Sequence, residues 1–164
     1  MISSTIVTTL LWAAALSSGR MAGVYFAFSG FIMRAFSKIA ATQSIAAMNS
    51  INETILRSSF MPLFFGSSII SVLLMIHAFL HWGEASATLM LIAGAIYFTG
   101  MFGCTVLFNV PLNNSLAKLG SYDASAQQVW SRYITVWTNW NHLRTISSLV
   151  TCIICVWVLS KHSI

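Results

Sequence analysis

The eight residues Trp137-Thr-Asn-Trp-Asn-His-Leu-Arg144 hold the chain's densest chemistry: two Trp, two Asn, one His and one Arg, just ahead of an apolar run reaching Leu159. Each type suggests a role. His142 is the nearby group that titrates close to neutrality and could take up a proton. Arg144 and Asn141 can stabilise a developing oxyanion, and Trp137 or Trp140 can stack on an aromatic ring. In lipid each polar side chain costs free energy unless paired. The segment is therefore expected at a membrane surface or lining a site inside a bundle.

At 100° per residue these groups do not share one helix face. Trp137, Asn141, Arg144, Ser148, Thr151, Cys152 and Cys155 lie on a small or polar side suited to a bundle interior. Ile146, Val150, Ile153 and Trp157 form a bulky stripe suited to lipid. His142 falls about 120° from the centre of the polar side, on its flank. Asn141 is the most securely inward of the polar residues.

The 164 residues that must position this stretch are 57% hydrophobic and 7% charged, with mean hydropathy +0.81. Soluble domains average about 25% charged residues, so most of the outer surface cannot face water. The composition implies a single membrane domain over 1–164. A net charge of +5 without a basic cluster excludes a nucleic-acid binder. Cys104, Cys152 and Cys155 sit in apolar runs, and Cys152-Ile-Ile-Cys155 lacks the flanking charge that would activate a thiol. No Lys or Arg precedes the first apolar run, as a cleaved signal peptide would require.

Four runs can each supply the roughly 20 helical residues a bilayer needs: about 6–32, 60–80, 85–108 and 141–159. The fold expected is all-α, an integral membrane four-helix bundle with an interfacial helix between spans 1 and 2. In the first run Ala15, Gly19, Gly23 and Ala27 make a small-residue stripe for close helix approach. Arg20 borders it and is expected to be buried and hydrogen-bonded, as a ligand-binding or a structural group. Between the first two spans, Ile45, Met48, Ile51 and Ile55 repeat at helical spacing beside Asn49, Asn52 and Glu53. Pro62 should start or kink the second span. Pro111 should end the third at Asn109-Val-Pro-Leu-Asn113, where the Asn109 and Asn113 amides replace lost hydrogen bonds or join a ligand site. Ser125-Ala-Gln-Gln128 has the form of a capping box opening the last helix. Trp130, Tyr133, Trp137 and Trp140 follow where an aromatic belt would lie.

His77 and His81, four residues apart, share a helix face and with His162 form a candidate metal or haem site; solvated histidines at helix ends are the plainer reading. Arg34, Lys38, Arg57, Lys118 and Arg132 flank the first and third connections, against Lys161 alone on the other side. The positive-inside rule then puts those connections in the cytoplasm and both termini outside. In a bacterium the membrane would be the inner one. Asn109, Asn113 and the Trp137–Arg144 stretch would meet at the cytoplasmic surface, with Asn109 and Asn141 in one polar cluster.

Gly23-Val-Tyr-Phe-Ala-Phe-Ser29, Ala47-Met-Asn-Ser-Ile-Asn52, Asn109-Val-Pro-Leu-Asn113 and Trp137-Thr-Asn-Trp-Asn-His-Leu-Arg-Thr145 resemble, in order, segments of the anthrone oxygenase-like family. The resemblance implies a small four-span membrane protein that oxidises anthrones to anthraquinones with O₂ and needs no metal or organic cofactor. It also implies roles for Trp140, Asn141, His142 and Arg144, which match the family's Trp-Asn-His-x-Arg pattern. One scaffold can host several chemistries. The residues themselves leave three readings: a cofactor-free oxygenase of anthrone- or hydroquinone-like aromatics, a non-enzymatic membrane protein binding a lipid-soluble molecule or a protein partner, and a metal or haem protein using the outer histidines. Oligomeric state is not written in the sequence.

Overall fold

The computed structural model describes residues 2–119 and 126–162, with side chains from 5 to 161 within those ranges. Helix α1 (Ile2–Ala27) runs through a π-helical turn (Phe28–Ile32) into the short α2 (Met33–Phe36). Helices α3 (Ala41–Ile55) and α4 (Phe60–Leu80) follow. Helix α5 (Ala87–Tyr97) continues through π segments Phe98–Gly103 and Thr105–Asn109 into α6 (Val110–Ala117), and α7 (Ala126–His162) closes the chain. Among the described residues there are no strands. The Ser125 capping box falls outside the described residues.

The long helices pack in a ring, with α1 against α7, α7 against α5, α5 against α4 and α4 against α1. Small residues set the close approaches. A Cβ on Gly94 would lie 2.6 Å from the Ser71 carbonyl oxygen, and one on Gly100 would overlap Ser147. Gly19 meets Cys152, whose sulfur would be 3.3 Å from an added Cβ, whereas Gly23 faces open space. The small-residue stripe is therefore an interface along half its length. Leu11, Leu74, Met90, Ala93 and Cys155 fill the centre. Among the described residues three helices are long and apolar enough to cross a membrane: Phe60–Leu80, Ala87–Ala117 and Ala126–Lys161. Helix α1, interrupted by Arg20, is not one of them. The molecule is an all-α membrane bundle.

Three expectations need correction. Arg20 is exposed, not buried, and no hydrogen bond is recorded for it among the described residues. The buried arc of α1 is Leu11, Ala14, Ala15, Ser18, Met21, Ala22 and Tyr25, while Trp12, Leu16, Arg20 and Val24 recur every fourth residue on the outer side. One residue past Gly19 is a 100° turn, which carries Arg20 out of the seam. Pro111 does not end the third helix, which continues to Ala117. The proline sits in the first turn of α6, directly after π-helical pitch over Thr105–Asn109. The π-helical turn before it shifts the hydrogen-bond register, so the N–H that proline lacks falls where the regular ladder is already displaced. Finally, Trp130 and Tyr133 are buried rather than forming an interfacial belt, and Trp137 is buried with them on the inward side that the wheel gave it. They pack against Met33, Ile45, Met48 and Leu116, because α3 lies over them.

That covering helix is what makes a site. Helix α4 begins only at Phe60, level with Tyr25, whose ring centroid is 6.3 Å away. Beyond that level α1–α2, α5–α6 and α7 continue, and the fourth corner is taken by α3, which touches α6 and α7. Ser44 ties α3 to the end of α2 by donating to the Phe36 carbonyl at 2.7 Å. Shorter and more polar than the helix it replaces, α3 leaves a space beneath it.

Candidate functional site

The space is a cavity of about 450 Å³, within the range of roughly 300–1,000 Å³ typical of small-molecule sites. Val24 and Tyr25 come to it from α1, Phe28 from the π-helical turn after it, and Met48, Asn49, Asn52 and Glu53 from α3. Phe60, Phe64 and Phe65 come from α4, Phe102, Thr105 and Val106 from the π segments, Asn113 and Asn114 from α6, and Trp137 and Arg144 from α7. The wall is mostly aromatic and aliphatic, with a few polar groups placed in it. A flat apolar ligand with polar edges would suit such a lining.

Arg144 is the unusual member. It is 5% exposed, and its guanidinium carbon lies 4.4 Å from the Tyr25 ring centroid and 4.9 Å from that of Trp137. Its Nη2 donates to Asn141 Oδ1 at 2.6 Å, while Nε has no partner among the described residues. No carboxylate among them lies within ion-pair distance. Two rings and one amide stabilise a guanidinium, yet an unpaired charge in an apolar wall stays costly. Asn141 aims the group: fully buried, it donates to the Tyr25 carbonyl and to Ser29 Oγ, each at 2.7 Å, leaving its oxygen for Arg144.

A second network runs along the α6–α7 side. Asn113 Oδ1 accepts from Tyr133 Oη at 2.8 Å and from Trp137 Nε1 at 2.9 Å, and Asn113 Nδ2 donates to Asn52 Oδ1 at 3.0 Å. One turn earlier, buried Asn109 donates to the Trp137 carbonyl at 3.3 Å and accepts from Cys104 Sγ at 3.7 Å.

The structure thus brings Asn109, Asn113, Trp137, Asn141 and Arg144 into one neighbourhood, of which Asn113, Trp137 and Arg144 reach the cavity. Trp140 does not: it is half-buried and stacks on Phe108 at 3.8 Å between centroids. His142 is exposed and outside the cavity, in line with its flank position on the wheel. Arg20 is likewise outside it. At the far end of α4, His77 and His81 stack at 4.0 Å, and His81 Nδ1 lies 3.0 Å from the His77 carbonyl. No three His, Cys, Asp or Glu side chains that could hold a metal come together among the described residues, and the side chain of His162 is not one of these.

Sequence reasoning gave no site role to Tyr25, Asn49, Asn52, Glu53 or Thr105. The signal was present for α3, where Asn49, Asn52 and Glu53 are spaced to share one side of a helix. The segment reads from its sequence as an interfacial helix, with no site role for that side.

A family model described as anthrone oxygenase matches residues 56–154, more than half of the chain. No curated protein and no solved structure matches it. The matched range runs from the start of α4 through most of α7, including Asn113, Trp137, Asn141 and Arg144. The chain belongs to the anthrone oxygenase family.

Proposed function

We propose that this membrane protein binds a fused aromatic with an enolisable ketone or phenol, of the anthrone or hydroquinone kind, and oxidises it with O₂ without a cofactor. One observation carries the reading: a buried guanidinium, lacking a carboxylate partner among the described residues, in the wall of an aromatic-lined cavity. Such a group favours a ligand that is anionic or becomes so, because the anion supplies the missing counter-charge.

The chemistry follows from that preference. Removal of the acidic ring proton yields an enolate whose oxygen is held at Arg144. The enolate carbon, electron-rich, passes its electrons to O₂ and forms a carbon–oxygen bond. Protonation gives a hydroperoxide, and loss of water leaves the quinone carbonyl: CH₂ plus O₂ gives C=O plus H₂O. Among the residues lining the cavity the one carboxylate is Glu53, at the exposed rim on α3. It takes the proton-acceptor role that the sequence offered to His142. The Lys and Arg residues expected to face the cytoplasm belong to the elements around the cavity end, which supports a site on the cytoplasmic side with both termini outside.

O₂ uptake by the protein in lipid nanodiscs, with a panel of anthrones and hydroquinones, tests the proposal. Saturable uptake is expected, forming the quinone and water from an anthrone and the quinone and hydrogen peroxide from a hydroquinone. Binding without uptake across the panel would leave a carrier or sensor of aromatic molecules, and neither binding nor uptake would overturn the reading.

A further inference from the structure

Cavity lining and outward exposure coincide at one place in the bundle wall. The main packing of α4 on the third helix runs over α5 and Phe98–Gly103. It finishes in a stack of rings, Phe64 on Phe102 at 5.4 Å and Phe102 on Phe98 at 5.2 Å between centroids. Past that stack both helices still line the cavity, α4 with Met61 and Phe65 and the third helix with Val106 and Val110, and Leu56 joins them from the end of α3. Four of these side chains also reach the outside: Leu56 is 64% exposed, Phe65 50%, Val106 45% and Val110 41%. Residues that line an interior space and are half-exposed outside it mark an opening. Beyond it α3 and α6 are tied together by Asn113 Nδ2 donating to Asn52 Oδ1 at 3.0 Å. On the other flank of α4, Phe60 and Leu63 pack with Met21 and Tyr25 of α1. The opening is a window between α4 and the third helix, and none of the five side chains framing it is charged. Its depth decides what it opens onto. The 21 residues of α4 are about the length that spans a hydrocarbon core, and Phe65 lies more than a turn inside that helix. The window therefore faces acyl chains. Arg144 reaches the cavity from α7, diagonally across the ring from α4.

We infer that the ligand enters and leaves through this window, directly from the bilayer, and that Phe65 and Val106 are specificity-determining residues that set the width of the molecule admitted. The inference rests on the cavity being the aromatic site proposed above. The route narrows the ligand class. An anion would have to shed its water among acyl chains at a large cost, so the molecule passes the window neutral and loses its proton only inside, beside Arg144. A flat, uncharged aromatic partitions into lipid and arrives already desolvated. Its oxygen-bearing edge leads, because the polar wall lies opposite the window, and an apolar substituent on the trailing edge can stay among the acyl chains.

The test follows binding of 9,10-anthraquinone to the protein in nanodiscs by stopped flow. Val106→Cys is modified with a bulky apolar thiol reagent that a reductant removes, so the window is blocked and reopened in one folded sample. Leu107→Cys, the next residue on the same helix but outside the cavity, is treated alike, as is wild type with its three native cysteines. The label at position 106 should slow association and dissociation together, each by about tenfold, because a gate is crossed in both directions. Reductant should restore both rates, and both controls should keep them throughout. Phe65→Ala, which widens the window, should speed both rates. Unchanged rates after labelling at position 106 would overturn the window and send the ligand past the polar end at α3. Faster dissociation with unchanged association would make Val106 a wall residue only and overturn the window too. Either result leaves the aromatic site standing, whereas absence of binding by unlabelled wild type would overturn site and window together.

Discussion

Around Leu11, Leu74, Met90 and Cys155 all four long helices are present, and the gap among Ser18, Ser67, Tyr97 and Thr151 is about 10 Å³, close to the least that holds one water. Around Tyr25 and Arg144 the cavity is about 450 Å³. The polar groups differ as much as the volumes do. At the packed end most hydroxyls satisfy themselves locally: Ser18 donates to Ala14, Ser68 to Phe64, Ser71 to the Ser68 carbonyl, and Tyr97 to Ser67, while Ser148 Oγ is the exception, buried without a partner among the described residues. At the open end Arg144 Nε, Asn49 Oδ1 and Asn52 Nδ2 are buried without partners among the described residues. Closing hydrogen bonds within the protein produces a core, and leaving them open beside a cavity produces a site. The same bundle does both, and the switch is the replacement of α4 by α3.

The sharpest way to break this contrast is Arg144→Leu. Removing a donor that holds a developing oxyanion typically lowers kcat by about 10²–10³, and a loss of at least about hundredfold in anthrone-dependent O₂ uptake is expected. A variant retaining a tenth of wild-type kcat would show that the buried cation is structural. Glu53→Gln comes next. General-base catalysis contributes about 10²–10⁴, and a rim carboxylate belongs at the lower bound, so about a hundredfold fall in kcat with little change in probe affinity is expected. His142→Ala measured alongside should keep kcat within about twofold; the reverse pattern would return the proton-acceptor role to His142.

The packed end should respond through stability. A side chain at Gly94 would meet the Ser71 carbonyl oxygen and Met75 Cγ, each 2.6 Å from the added Cβ. A carbonyl on a packed helix cannot swing aside as the tip of a side chain can. Gly94→Val should therefore cost about 1–3 kcal/mol by overpacking, read as a lower melting temperature in detergent, while folded protein keeps its ligand affinity. Loss of binding without loss of stability would mean that the two ends are coupled.

Much of the framework was legible because lipid and neighbouring helices impose a simple pattern on sequence. The wheel for α7 separated buried Trp137, Asn141, Arg144, Ser148 and Thr151 from exposed Ile146, Ile153 and Trp157. What the pattern could not convey was which surface covers a half-polar helix. The polar side of α3 reads as solvated whether it faces water or a cavity, so Asn49, Asn52 and Glu53 went without roles. The buried aromatics of α7 read as a belt for the same reason. Pro111 misled because interruption of the hydrogen-bond ladder was taken as an end, while a π segment before it absorbs the change in register. Arg20 misled because adjacency along the chain was taken for adjacency in space.

Arg20 also provides the smallest expected effect, which makes it the control for every larger one. Two of the chain's arginines, Arg20 on α1 and Arg144 on α7, differ in what surrounds them. Arg144 is clamped by Tyr25, Trp137 and Asn141 at the cavity, whereas Arg20 stands with Trp12 and Leu16 on the outer side of α1 and away from the cavity. From that side a long side chain can lay its methylenes along apolar surface and carry its charge towards the membrane surface. Little protein structure depends on it. Arg20→Leu should change stability by no more than about 0.5 kcal/mol and leave O₂ uptake and probe affinity within about twofold. A tenfold loss of either would mean that the outer face of α1 contributes to function, and that the open end of the bundle is not where this protein's chemistry is confined.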